Sequence, residues 1–151
     1  MAATPIITLP QSHVWVHTGN GYGSTGTKIR RWSTVKHNVG TAITYSDSAS
    51  NGGSFQISEA GYYSIVRTDY LGAGSVNIGL SVNSNQLSTQ LGSITSSHYL
   101  NNAASGAANL SGIVAWTDYF EVGDVIRAHD SGTVADGNNF LVSMNIIKIG
   151  V

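Results

Sequence analysis

The side chains of this chain that could do chemistry are its five histidines and its aspartates. His13 and His17 share one face of a predicted strand, with Trp15 between them. Four residues of strand span about 13 Å, so a single metal ion cannot bind both imidazoles. A symmetric assembly could instead bring three copies of one of them together on its axis. We therefore expect no metal site or cofactor within one chain, and no role for the other three histidines, His37, His98 and His129.

Hydrolysis would require a nucleophile, a base and an orienting group within reach of one another. His129 is a candidate base, and the candidate carboxylates are Asp69, Asp118, Asp124, Asp130 and Asp136. The chain has no GxSxG nucleophile motif, and aspartates at strand turns usually accept hydrogen bonds from the backbone. Asp124 follows Gly123 and is predicted to form such a turn. We therefore expect a protein without enzymatic activity.

The segment 130–139 is the best candidate for binding a cation. It places Asp130 and Asp136 among serine, threonine and asparagine oxygens, which are the hard ligands that calcium prefers. The segment lacks the residue order of an EF-hand and its bidentate glutamate. The sequence is compatible with a calcium site and with a plain hairpin loop.

A carbohydrate site would need exposed aromatic rings beside amide and hydroxyl groups. The residues that could build one are Tyr22, Trp32, Tyr99 and Asn101. Aromatic rings of this kind serve equally well in an interface between subunits, so both interpretations stay open.

Composition limits the kinds of partner. At 151 residues, the chain fits one domain that buries about two-thirds of its unfolded surface. It has no cysteine, which excludes disulfides and thiolate zinc sites. A net charge of −1 and a charged fraction of 10%, against about 25% in typical domains, argue against binding to nucleic acid or anionic lipid. No apolar stretch is long enough to form a membrane span.

The spacing of apolar residues predicts strands along the whole chain. Residues 1–12, with Pro5 and Pro10, are expected to form an extended arm, and residues 13–151 a single domain. Short strands separated by turn signals, with no helical period, are typical of a sandwich or barrel. The segment 18–26 is expected to be a glycine-dense loop. The clearest predicted strands are 13–17, 35–38, 41–45, 54–57, 62–70, 76–82, 110–120, 125–129 and 140–149.

Alternation within three of these strands indicates which residues share a face. On 76–82 the apolar residues face one way and the polar residues the other, which predicts one face in contact with water. The strands 110–120 and 140–149 instead carry apolar residues on both faces. Because one sandwich cannot cover both, we expect a neighbouring subunit to cover the second. The candidate residues of that trimer interface are Ile113, Trp116, Tyr119, Leu141, Met144 and Ile147.

The stretch from Phe55 to Ile65 carries a recognisable pattern, in which Phe55 is followed after five residues by Gly61, then by Tyr63 and Ile65. The segment 80–83 has the form Leu-x-x-Asn, and 111–127 has the form strand, Gly-Asp turn, strand. These motifs resemble the globular head of complement component one-q and its tumour-necrosis-factor relatives. The resemblance covers most of the chain, residues 35–149.

This resemblance implies an all-β, antiparallel jelly-roll sandwich of about ten strands that packs as a homotrimer and serves binding or structure. The chain departs from the pattern at two places. It has Ser48 where an aromatic residue is expected, and no glycine follows shortly after Phe140. The calcium ligands and receptor-binding residues of the family are therefore not carried over.

Heads of this kind also form tips and surface decorations of bacterial viruses. The first residues contain no signal peptide, and the cysteine-free chain, rich in Ser, Thr, Gly and Asn, resembles that branch more than a secreted protein. Our leading expectation is a non-enzymatic structural protein of the virion surface, a capsid decoration or tail-fibre tip, with capsid or tail protein as its partner. The alternatives are a lectin-like module that binds a host-surface glycan and a secreted, extracellular ligand.

Overall fold

A computed structural model of the chain describes residues 11–71, 76–104, 110–132 and 141–151. These ranges contain two short 3₁₀ helices, Leu91–Ser93 and Ser96–His98, which are far too short to cross a membrane. They also contain ten strands: β1 (His13–Tyr22), β2 (Arg30–Val39), β3 (Ile43–Ser48), β4 (Gly52–Ile57), β5 (Gly61–Leu71), β6 (Asn77–Val82), β7 (Tyr99–Ala104), β8 (Leu110–Phe120), β9 (Val125–Ala128) and β10 (Ser143–Gly150).

The strands pair into two five-stranded antiparallel sheets. The first sheet has the order β2-β1-β10-β5-β8, and the second has the order β3-β4-β9-β6-β7. Neighbours in each sheet are mostly distant in sequence, as in a jelly roll. The predicted antiparallel jelly roll of about ten strands is confirmed.

Alternation along the strands fills the space between the sheets. In β5, Tyr63 and Ile65 are fully buried, whereas Tyr62 and Val66 point to the outside and are exposed. The strands β1, β8 and β10 alternate in the same way. Their inward residues join one apolar core: Val14, Val16, Val114, Phe120, Met144 and Ile146.

The structure corrects the prediction that one face of β6 is in contact with water. Gly79 and Ser81 were expected to face water, yet both are buried. The side chain of Leu91, in the first 3₁₀ helix, lies directly over Gly79, and a methyl group there would overlap it. His129 bonds to Ser81 Oγ at 3.1 Å on the same side. The segment after β6 thus covers a sheet face that the sequence predicted to be open.

Gly61 shows why the motif from Phe55 to Ile65 contains a glycine. Its φ angle is +152°, a region that other residues rarely adopt. A Cβ atom there would also overlap the carbonyl group of Gly150 and the side chain of Lys148. The start of β5 therefore approaches β10 more closely than any side chain at this position would allow.

Asp124 forms the turn predicted for it. Its Oδ2 accepts a hydrogen bond from the backbone N–H of Glu121 at 2.8 Å, and Oδ1 accepts one from Asn83 Nδ2 at 2.7 Å. Gly123 supplies the positive φ angle of the turn, +98°. This aspartate is structural, as expected.

The first strand differs from its prediction. β1 continues through Gly19 to Tyr22, where the sequence predicted a loop. Bulges interrupt its pairing with β2 after Trp15 and after Gly19. Before the strand, Ser12 is buried, and its Oγ accepts hydrogen bonds from the backbone N–H groups of Thr41 and Ala42. The last residue assigned to the arm is therefore held by the folded body, while residues 1–10 lie outside the described ranges.

Candidate functional site

Asp130, a predicted calcium ligand, is fully buried in a network of ion pairs. Arg67 donates two hydrogen bonds to its carboxylate, at 2.6 Å and 2.8 Å, and Tyr22 donates a third at 2.9 Å. Both carboxylate oxygens are buried and bonded within the chain, so the structure corrects Asp130 from an open calcium ligand to a member of this network. Asp136, the other candidate, lies outside the described residues.

The network is electrically balanced. Arg67 also donates to Asp69 at 2.7 Å, and Arg30 lies 3.2 Å from the same carboxylate. Burial alone would lower the pKa of Arg67, but Asp130 and Asp69 outweigh it and raise the pKa. Burial raises the pKa of Asp69 against the opposing effect of the two arginines. Two arginines and two aspartates neutralise each other, which is the condition for burying charges at all.

Arg67 joins the two sheets. It stands on β5 in the first sheet, and it bonds to the carbonyl group of Gly79 on β6 at 2.7 Å and to Asp130, which follows β9. Gly79 belongs to the second sheet, and Asp130 lies in the segment that directly follows its strand β9. The network is therefore a structural cross-link between the first sheet and the second.

The predicted carbohydrate residues are not brought together. Trp32 is buried in the core against Phe55, with ring centroids 5.8 Å apart, so its assignment to a sugar site is corrected. Tyr22 is half-buried and directs its hydroxyl to Asp130. Tyr99 and Asn101 do lie together on β7, where Tyr99 donates to Asn102 Oδ1 at 2.6 Å. Of the four candidates, only these two share a surface.

The outer face of the first sheet carries a large set of apolar side chains, all exposed except the half-buried Ile147, and we call this set the apolar face. Its members are Trp15, Val39, Tyr62, Val66, Ile113, Tyr119, Leu141, Ile147 and Ile149. Ile113 is 64% exposed and Tyr119 is 43% exposed. Contiguous apolar patches of this kind on soluble proteins usually mark interaction surfaces.

The six predicted interface residues divide between the two sides of this sheet. Ile113, Tyr119, Leu141 and Ile147 belong to the apolar face. Met144 is fully buried in the core, so its assignment to an interface is wrong. Trp116 is half-buried and packs against the core from the inward row of β8.

Charge is missing from most of the apolar face. At the described positions of β1, β5, β8 and β10, every Asp, Lys and Arg lies in a row of inward residues, including Asp118, which is exposed but pairs with the core residue Tyr63. On the neighbouring strand β2, Lys36 lies in the bulge opposite Trp15 and Val16, and Arg31 is paired with Asp47 at 2.7 Å. The face therefore presents hydroxyl, amide, imidazole and apolar groups.

Three histidines lie at one end of the apolar face. The rings of His13 and His37 have centroids 4.6 Å apart across β1 and β2. His13 Nε2 donates to Asn145 Oδ1 on β10 at 2.5 Å. His17 lies beyond Trp15, with ring centroids 6.1 Å apart. Burial, with a smaller effect of Lys36, lowers the pKa of His17.

No group of three or more histidine, cysteine, aspartate or glutamate side chains among the described residues could hold a metal ion. The remaining two histidines are separate: His98 lies in the second 3₁₀ helix, and His129 is buried.

Sequence reasoning missed Trp15, Tyr62 and Val66 as members of the apolar face. A signal for them was present, because each alternates with a core residue in its strand, as Val66 does with Ile65. That signal becomes usable only when the strand order is known. Trp15, Asn145, Val66 and Ala115 lie side by side across β1, β10, β5 and β8.

Comparison with known proteins supports the fold and no narrower assignment. No protein-family model matches the chain, and no curated protein matches its sequence. The crystal structure of murine APRIL at pH 8.5 matches with a TM-score of 0.66 and 12% identity, over 92% of this chain and 99% of that chain. The crystal structure of GITRL from bushbaby matches with a TM-score of 0.54 and 15% identity, over 93% of this chain and 95% of that chain. Both are TNF-like jelly rolls, which confirms the resemblance at the level of the fold.

Proposed function

We propose that this chain is a non-enzymatic module that acts through binding and assembly, as a homotrimer formed by its apolar face. The observation that carries the proposal is the combination of large exposed apolar side chains with an absence of outward charge on β1, β5, β8 and β10, as far as these strands are described. Removing such surface from water contributes about 25 cal/mol per Å² of apolar area.

A second copy of the same chain is the partner that fits this face best. Interfaces within homo-oligomers are more apolar than other protein interfaces and are depleted of charge at their centre. An uncharged face also does not repel a copy of itself. The number three is proposed from the sequence resemblance to trimeric complement heads and their tumour-necrosis-factor relatives.

The absence of catalysis is proposed from the state of the carboxylates. Asp69 and Asp130 are neutralised by Arg30 and Arg67, and Asp124 is used by a turn. A catalytic carboxylate needs access to substrate and a partner to activate. Asp69 and Asp130 are buried without access to substrate, and both oxygens of Asp124 accept hydrogen bonds within its turn and from Asn83.

We place the trimer at the surface of a virus particle, as a capsid decoration or tail-fibre tip bound to capsid or tail protein. The low charge and the lack of cysteine support this setting. The second candidate is a secreted extracellular ligand, which is favoured by the likeness of the fold to APRIL and GITRL. A lectin-like module is the third, and Tyr99 with Asn101 would be its starting point.

The first test is the mass of the purified chain in solution at neutral pH and micromolar concentration. Sedimentation should give three times the chain mass of 15.8 kDa. A stable monomer would overturn the proposal. The setting is tested separately. Binding to empty capsids or tails encoded beside its gene supports the role in a virus particle. Binding to animal cells favours the secreted ligand, and a signal on a glycan array favours the lectin-like module.

A further inference from the structure

The histidine end of the apolar face lies inside the surface that the proposed assembly covers. His13 pairs with Val39 on β2 and with Ile147 on β10, and both of these neighbours are exposed or partly exposed apolar residues. Trp15 pairs in the same way with His37 and with Asn145. A partner that covers Trp15 must therefore also cover imidazole rings.

These imidazoles are also the groups that can change the charge of the face near neutral pH. Histidine is the side chain that ordinarily gains its proton between about pH 8 and pH 5. The charged groups around the cluster are few. On β2, Lys36 lies next to His17, and Arg31 is engaged by Asp47. On β10, Lys148 turns away to Glu59, at 3.0 Å, and the residue that bonds His13 is the neutral Asn145.

No carboxylate of the described strands faces the cluster to compensate a positive charge. The outward groups of β1, β5, β8 and β10 are neutral. Lys36, at the bulge of β2, would repel a protonated ring. His13 already donates from Nε2 to Asn145, so a second proton would go to Nδ1. Two such rings, His13 and His37, would then carry like charges at a centroid distance of 4.6 Å.

We propose that protonation of His13 and His37 releases the copies of this chain from one another, so that the assembly is held at neutral pH and opens in mild acid. This inference depends on the proposed function, because it assigns a regulator to the same face. Burial and, to a smaller extent, Lys36 lower the pKa of the neighbouring His17. Covering the face would disfavour the charged form of an imidazole in the same way.

The sign follows from the linkage of protons to association. An imidazolium ring on a separated chain keeps its water, whereas a covered ring loses it and gains charged neighbours, so the separated chains bind more protons. Association is therefore complete at a pH above the range in which histidine ordinarily gains its proton, and it is lost as the pH falls through that range. Each proton taken up on dissociation raises the dissociation constant about tenfold per pH unit.

The experiment is sedimentation velocity of the full chain at pH 8.0, 7.0, 6.0 and 5.0, with a chelator present to exclude bridging by metal ions. We expect a trimer at pH 8.0 and a dissociation constant at least tenfold higher at pH 5.0, while circular dichroism keeps its β signal. The double variant His13→Gln/His37→Gln should stay assembled at pH 5.0. The single variant His37→Gln, at an exposed edge position, repeats the test if the double variant folds poorly.

The matched control is His98→Gln, in the second 3₁₀ helix and outside the apolar face; it should dissociate in acid as the unmodified chain does. A wild-type trimer that persists unchanged at pH 5.0 overturns this inference and leaves the proposed function intact. A double variant that dissociates like the wild type also overturns it. A monomer at pH 8.0 overturns the proposed function, and the inference with it.

Discussion

Tyr62 and Tyr119 meet edge to face across β5 and β8, with ring centroids 5.3 Å apart and an interplanar angle of 76°, on the solvent side of the first sheet. Each ring limits the rotamers of the other. Association costs about 0.5–1.5 kcal/mol for each flexible side chain that it immobilises. This cost is reduced for Tyr62 and Tyr119, because their contact already restricts both rings. A pre-arranged aromatic pair of this kind is suited to be an anchor of an interface.

A charge in the apolar face should break the assembly and spare the fold. Ile113 is 64% exposed, so Ile113→Asp removes little core packing. In an assembly the new carboxylate would be buried without a partner, and we expect the dissociation constant to rise at least roughly hundredfold, or about 2.7 kcal/mol. Sedimentation measures the loss and circular dichroism the retained fold.

The matched control for this prediction is Val122→Asp. Val122 is 66% exposed but lies in the turn between β8 and β9, away from the apolar face. Val122→Asp should leave the mass of the assembly in sedimentation unchanged. Equal behaviour of the two variants would show that the apolar face is not where the copies meet.

Met144 should act on the stability of one chain. Its side chain is fully buried in the core of a single molecule. We expect Met144→Ala to lower the free energy of unfolding by about 2–5 kcal/mol. Urea unfolding in the Ile113→Asp background isolates this effect from association. An unchanged free energy of unfolding in this background would contradict the placement of Met144 in the core.

Breaking the buried ion-pair network should be costly. Asp130→Asn removes the partner that bonds twice to Arg67, and an uncompensated buried charge typically costs about 3–5 kcal/mol. Replacing both groups, as Arg67→Met/Asp130→Leu, should recover part of this loss, since an apolar pair needs no counter-ion. Urea unfolding measures both variants, and a double variant weaker than Asp130→Asn would refute the argument.

The stability of the single chain should fall in acid because of His129. Burial lowers the pKa of this histidine below its ordinary value of 6.5, so the unfolded chain takes up the proton at higher pH than the folded chain. Stability is therefore complete above that value and is lost as the pH falls through it. His129 donates from Nε2 to the Thr89 carbonyl at 2.8 Å, and its Nδ1 lies 3.1 Å from the Ser81 hydroxyl, which can donate to the neutral ring.

The measurement is urea unfolding at pH 7.5 and pH 5.5 in the Ile113→Asp background. The unmodified His129 should show lower stability at pH 5.5, whereas His129→Gln should show a smaller change between the two pH values. If the free energy of unfolding changed equally between the two pH values in both proteins, the acid sensitivity would come from another group.

The faces of β8 were predictable because alternation is local. Ile113 and Tyr119 were separated correctly from Val114 and Phe120 by position alone. The same rule could not say which of two apolar rows faces inward, and this is why Met144 was assigned to the wrong side. That choice depends on the partner strands β1 and β5, which lie far away in the sequence.

The candidate sites were less predictable, because they depend on long-range pairing. The burial of Asp130 follows from Arg67, which reaches it from the opposite sheet. The contact of His13 with His37 depends on the register of β1 and β2, which sets His37 opposite Trp15 and next to His13. Nothing local in the sequence marks either event.

The strand β10, Ser143–Gly150, lies in the middle of the first sheet, between β1 and β5. During synthesis, the facing edges of β1 and β5 stay unpaired until β10 has been made, because β10 follows both of them along the chain. Until then the nascent domain exposes two strand edges that can pair with other chains. A truncation that removes Ser143–Gly150 would take away the centre of the sheet and not its margin.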